Sequence, residues 1–183
     1  MAKTPPEPPT KFTGLLQAQI RHEFTAAQQY IALAVWFDAN DLPRLAKRFY
    51  RQAIEERNHA LAMVRYLLDR DQPVAIPGSG DVRNDFSSAH EAISLALDQE
   101  RAVTADIEAM AKAARAEEDY LGEQFVHWFL KEQVEEVAQM STLLTVVERA
   151  GDNLFEVENH LYRESATEVG DAPDMPPVAG GKL

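Results

Sequence analysis

Cysteine is absent from the 183-residue sequence, which excludes disulfides, thiolate metal ligands and cysteine nucleophiles. Long apolar runs are missing too. The longest, Ile31 to Phe37, is far too short to span a bilayer. Basic residues are scarce, 18 against 30 acidic ones, and the formal charge of −12 disfavours non-specific nucleic-acid binding and favours cations as partners. The first residues, Met1 to Thr10, are proline-rich and lack the apolar core of a secretory signal. Together these absences fit a cytoplasmic protein with no membrane segment.

What is present is helical periodicity. Apolar stripes with spacings of three and four run through four long segments, and each stripe contains a glutamate. The first reads Leu16, Ile20, Glu23, Ala27, Tyr30, Ala34, Phe37, and the second Leu45, Phe49, Gln52, Glu56, His59, Met63, Tyr66. The third reads Ile93, Leu97, Glu100, Thr104, Ile107, Ala111, Ala114, and the fourth Phe129, Gln133, Glu136, Met140, Leu143, Val147. This spacing places each set on one face of a helix.

Turn signals divide the chain accordingly. Thr10 is a candidate N-cap for a helix ending near Ala39, and Pro43 suits the first turn of a second helix reaching about Asp71. Gln72 to Ser88 holds Pro73, Pro77, Gly78 and Gly80 and reads as a long connection. A third helix spans about Ala89 to Ala116, a fourth ends near Ala150 with Gly151 as its stop signal, and Asp152 or Asn153 can cap a short fifth helix through Arg163. Two short turns and one long connection describe an all-α four-helix bundle with one crossover and a short fifth helix. Residues 1–10 are expected to form a flexible arm, 11–163 the bundle, and 164–183, with Pro173, Pro176, Pro177, Gly180 and Gly181, a disordered tail.

The glutamates meet at one height in such a bundle. Glu23 lies 18 residues before Asp41 and Glu56 lies 15 after it; Glu100 lies 17 before Glu117 and Gln133 lies 16 after it. At ~1.5 Å per residue the mismatch within each hairpin is about one helical turn or less. Buried carboxylates are costly unless paired or metal-bound, so four at one level define a candidate metal site. Alone, the Glu56-x-x-His59 pair is a weak signal, since His59 could be a hydrogen-bonded core histidine and Glu56 a helix ion-pair partner. Glu23, Glu56, Glu100, Glu136, His59 and the Gln133 amide form an oxygen-rich set that iron(II) and manganese(II) accept. Two ions sharing about six ligands would keep positions open for water or dioxygen. Glu55, Glu132 and Glu135 form a second acidic group, readable either as another cation site or as a solvated acidic edge. Tyr30 lies near Glu23 and Trp128 one turn before Glu132; both suit packing, with Tyr30 also placed to hydrogen-bond the site.

The segments HEFTAAQQY (22–30), FYRQAIEERNHA (49–60), LALDQERAVT (95–104) and HWFLKEQVEEV (127–137) resemble bacterial non-haem ferritins, the actinobacterial members in particular. The resemblance covers about Phe12 to Arg163. It implies a ferroxidase that oxidises ferrous iron with dioxygen and stores ferric mineral within a shell of 24 identical subunits. It assigns Glu23, Glu56 and His59 to one iron, and Glu56, Glu100, Gln133 and Glu136 to the other. It also assigns Glu55, Glu132 and Glu135 to a third iron and Tyr30 to the near-site tyrosine. By the same resemblance Leu154, Val157 and Leu161 would line fourfold axes, and Glu117, Glu118, Asp119 and Glu123 are candidate pore acids. The tail would address the particle to an encapsulating shell. Bacterioferritins carry a second Glu-x-x-His on helix four and a haem-ligating methionine after the helix-two glutamate. Here Glu136 and Arg57 occupy those positions, so no haem is expected. The acidic tail and the complete site within one bundle also differ from the small DNA-protecting relatives.

Overall fold

The computed structural model describes residues 10–165 and 175–181. Five helices follow in order: α1 (Lys11–Ala39), α2 (Pro43–Asp69), α3 (Ala89–Ala116), α4 (Tyr120–Ala150) and α5 (Leu154–Ser165). α1 packs along α2, α3 along α4, and the hairpins join mainly through α1 and α3. The all-α bundle with one crossover and a fifth helix expected from the periodicity is the observed fold. No helix among the described residues is long and apolar enough to cross a membrane.

Capping explains where the helices start. Thr10 accepts from the Thr13 backbone, Ser88 from Glu91 and Asp119 from Gly122, each satisfying an N-terminal amide that has no partner within the helix. α2 has no side-chain cap of its own. Its first-turn amides instead donate to the Glu158 carboxylate of α5, Arg44 N at 2.9 Å and Leu45 N at 3.0 Å. α1 receives similar help, with Lys11 N donating to Glu117 at 2.7 Å. The interhelical turns use Asp41 and Glu118 at positive φ, a region in which aspartate is better tolerated than glutamate.

The crossover has no helix between residues 72 and 88 beyond a bend at its end, yet its backbone is held. Gln17 donates to the Ala75 carbonyl at 2.6 Å and accepts from its amide at 3.1 Å. Gln29 does the same for Arg83, at 2.7 and 2.8 Å. These side-chain amides satisfy backbone groups that would otherwise depend on solvent.

The apolar core falls into two clusters. One, around Phe37, Phe49, Ile93, Leu143 and Val157, fills the end where α5 docks. The other, around Phe12, Leu16, Met63, Ile107 and Phe129, fills the opposite end. Between them lies a buried polar layer of Gln19, Glu23, Gln52, Glu56, His59, Glu100, Gln133 and Glu136.

Two boundaries differ from expectation. α5 continues to Ser165, and the tail read as disordered from Glu164 onward is docked in its described part. Val178 is buried, Met175 and Ala179 pack against the second cluster, and Ala179 N donates to the Leu61 carbonyl of α2 at 3.1 Å. Proline and glycine raised the expectation of disorder, but Met175, Val178 and Ala179 supply apolar side chains that a groove can bury. The N-terminal arm up to residue 9 and residues 166–174 and 182–183 lie outside the described residues.

Candidate metal centre

Each helix of the bundle contributes to the polar layer. α1 brings Glu23, α2 brings Glu56 and His59, α3 brings Glu100, and α4 brings Gln133 and Glu136, all buried. Donor atoms of Glu23, Glu56 and His59 converge within 4.8 Å of one another. His59 Nδ1 lies 3.4 Å from Glu56 Oε2 and 4.0 Å from Glu23 Oε2. The imidazole is held edge-on by Trp128 and Phe129, at centroid distances of 5.6 and 5.7 Å.

Three of the carboxylates accept a hydrogen bond on one oxygen. Glu23 Oε1 accepts from Gln19 at 2.9 Å, Glu100 Oε1 from the Tyr30 hydroxyl, and Glu136 Oε2 from Gln52 at 2.9 Å. Glu23 Oε2, Glu56 Oε1 and Glu100 Oε2 are buried with no hydrogen-bond partner. A buried unpaired carboxylate oxygen is among the most costly polar arrangements a core can hold, and a cation between such oxygens removes the cost. The donor set, oxygen-rich with one imidazole, fits ferrous iron.

Electrostatics point the same way. Burial, then the neighbouring Glu56, pushes Glu23 well above the usual carboxylate range. Burial and Glu100 do the same to Glu56, and burial raises Glu100. Glu136 is pushed up to about 8 by burial, with Glu100 and Glu55 adding to it. Four carboxylates at one level cannot all ionise without a counter-charge. Tyr30 is raised well above its ordinary value by burial and by Glu100, so its phenol keeps its proton and serves as a donor.

The structure buries Glu23, Glu56, His59, Glu100, Gln133, Glu136 and Tyr30 at the middle of the bundle. Gln133 has a more specific setting than its sequence position disclosed. Its amide oxygen accepts from the Thr104 hydroxyl at 3.0 Å, and the same hydroxyl donates to the Glu100 backbone carbonyl at 2.8 Å. Glu55 and Glu132 are half-buried and Glu135 is exposed. Glu132 raises Glu55, and Glu135 raises Glu132, in each case behind burial as the larger cause. They are neighbours, but among the described residues the tightly converged metal-ligand group is Glu23, Glu56 and His59. Three candidate pore acids have partners within the chain: Glu117 caps α1, Asp119 caps α4 and binds Arg70 at 3.2 Å, and Glu123 binds Arg115. Gln19, Gln52 and Thr104 went unassigned from sequence. The signal for Gln19 was its place one turn before Glu23; the other two stood in the stripes.

A four-helix bundle with one crossover and four glutamates and a histidine buried at mid-height defines the ferritin-like class of carboxylate metal proteins. The family model described as the Ferritin-like domain matches residues 13–150, and the chain belongs to the ferritin family. It is 59% identical over 174 residues to Ferritin BfrB of Mycolicibacterium smegmatis, covering 95% of this chain and 96% of that one. Ferritin BfrB of Mycobacterium tuberculosis is 58% identical over 177 residues, covering 96% and 97%, so this is a bacterial ferritin of the actinobacterial kind. An open-pore ferritin from Archaeoglobus fulgidus shares the fold, with a TM-score of 0.82, 24% identity, and coverage of 86% of this chain and 98% of that one.

Proposed function

We propose that this ferritin stores iron by oxidising it first, as a ferroxidase with a paired iron site at mid-bundle. Glu23, Glu56 and His59 take one ferrous ion; Glu56 bridges to a second held by Glu100, Glu136 and Gln133. Two ferrous ions each give one electron to dioxygen, which takes up two protons to leave as hydrogen peroxide, and the ferric ions hydrolyse to hydrated oxide. The four raised carboxylates give up protons as the ions bind. Tyr30 keeps Glu100 oriented throughout. Glu55, Glu132 and Glu135, more exposed and purely carboxylate, form a weaker third site that clears or supplements the pair. The observation that carries this reading is the buried convergence of Glu23, Glu56 and His59, with one unpartnered carboxylate oxygen on each of Glu23, Glu56 and Glu100.

The shell reading rests on a different observation. Ile31, Ile54 and Ile76 stay substantially exposed, and with Tyr50 they line a groove of about 480 Å³ along α1 and α2. An apolar face of this kind suits burial against further copies, and Phe155 and Tyr162 of α5 offer another. A closed shell of 24 copies would sediment at roughly half a megadalton. Arg57 lines that groove, and a guanidinium cannot replace a haem-ligating methionine, so the reading contains no haem. The cytoplasm, with its ferrous iron supply, is the setting it fits.

Anaerobic calorimetry with ferrous iron, followed by aerobic stopped-flow absorbance and particle sizing, tests both parts. Two ions per chain in the wild type, with both lost in Glu56→Ala, are expected. Unchanged stoichiometry in that variant would refute the bridging role, and a stable monomer would refute the shell.

A further inference from the structure

We infer that Gln52 is a positioning residue for the second iron, orienting the Glu136 carboxylate across the gap between α2 and α4. The inference rests on the paired-site reading and adds to it a division of labour between two glutamines. Gln19 holds Glu23 from one turn away on the same helix, at 2.9 Å. Gln52 holds Glu136 from a different helix, at the same distance, and both partners are buried. The first contact survives any movement of the helices relative to one another. The second does not.

The surroundings of Gln52 make it the central buried link of that gap. One turn toward the start of α2, Arg48 donates to Gln139 of α4 at 2.9 Å, but this pair is exposed to solvent. One turn the other way come Glu55 and Glu132, two carboxylates of like charge that, among the described residues, form no hydrogen-bonded link across the gap. Gln52 is neutral, so it orients Glu136 without competing for the metal or neutralising the charge that draws it. The amide occupies Oε2 and leaves the other carboxylate oxygen as the one presented to an ion. Groups that orient metal ligands in this way commonly change affinity by about 10–100-fold when removed.

The effect should therefore fall on one ion of the pair. Gln52→Met keeps the length and volume of the side chain and removes the donor; Gln19→Met is its counterpart at Glu23. The assembled, metal-free protein is titrated anaerobically with cobalt(II), which reports each coordination environment by its visible absorption and is not oxidised by the site. Wild type is expected to fill two steps. Gln52→Met should keep the first step and its spectrum while the second weakens on the order of ten-fold with an altered spectrum. Gln19→Met should weaken the first. Gln52→Leu is read in the same way if the methionine variant does not fold. A Gln52 variant with both steps as in wild type, or with both weakened alike, would overturn the inference and leave the paired site standing. A wild-type titration with only one step would remove the paired site and the inference with it.

Discussion

A buried glutamate at the centre of a bundle is a liability, and four of them at one level make the metal-free protein sensitive to pH. Glu136 is held at about 8 in the folded chain, chiefly by burial, whereas an unfolded glutamate titrates near ~4.3. The folded state therefore binds more protons than the unfolded state between those values, so unfolding free energy falls as pH rises. The contribution is full below about 4.3 and lost as pH passes about 8. Chemical denaturation of the metal-free protein at a series of pH values should show declining stability across this window. Glu136→Gln should flatten part of the slope, since the amide is neutral throughout. Ferrous or zinc ions should reverse the trend, because they bind the deprotonated set. A metal-free protein that gains stability from about pH 5 to 8 would contradict the assigned protonation.

At the scale of the element, two contacts join pieces far apart in sequence. Glu158 of α5 caps α2 from 114 residues away, and Gly122 of α4 admits the ring of Phe12 from α1. A Cβ on Gly122 would meet Phe12 Cε1 at 2.6 Å and Asp119 Oδ2 at 2.8 Å. Gly122→Ala should cost ~1–3 kcal/mol through overpacking, despite the better helix propensity of alanine. Urea unfolding of metal-free protein checks this, and an unchanged or raised midpoint would show that Phe12 yields without cost. Glu158→Ala should cost about 1–2 kcal/mol through loss of the cap. It should also speed amide exchange in α5 and the first turn of α2 together. Faster exchange confined to α5 would mean that the cap contributes little to α2.

These contacts also mark how far the sequence could be read. Helices, turns and crossover were legible because spacings of three and four, proline at the start of α2 and glycine after α4 act locally. The buried polar layer was legible because a charged carboxylate in an apolar stripe has few inexpensive explanations. Gln52 and Thr104 occupied the same stripes without disclosing a role, since a neutral amide or hydroxyl in a core needs only some partner, and geometry chooses which. Gln17 and Gln29, which clasp the crossover, and Glu117, which caps α1, depend on partners 54 to 106 residues away. No local pattern encodes such pairs.

For the whole molecule the question is what the segment from 175 to 181 adds to a bundle that already encloses its site. Its backbone bonds Leu61, and Val178 is buried among side chains of the second cluster. Pro176 and Pro177 border a cavity of about 300 Å³ with Tyr66, Leu121 and Phe125. The six residues of the paired site take none of their hydrogen bonds from this segment, so the contribution should be to stability and not to chemistry. Burial of Val178 and the Ala179–Leu61 hydrogen bond hold the segment in place against the entropy of ordering it, which Pro176 and Pro177 lower by restricting the unfolded chain. So few contacts make the docked segment a minor contributor to stability that can be displaced. Deletion of residues 166–183 should lower unfolding free energy by on the order of 1 kcal/mol. It should leave the initial rate of iron oxidation within about two-fold of the full chain, a difference of under ~0.5 kcal/mol in barrier, and leave the particle size unchanged. Denaturation, stopped-flow absorbance and sedimentation on the same preparations separate the outcomes. Loss of the assembled particle would make the tail part of the shell. Collapse of the oxidation rate in an intact particle would make it part of the iron path.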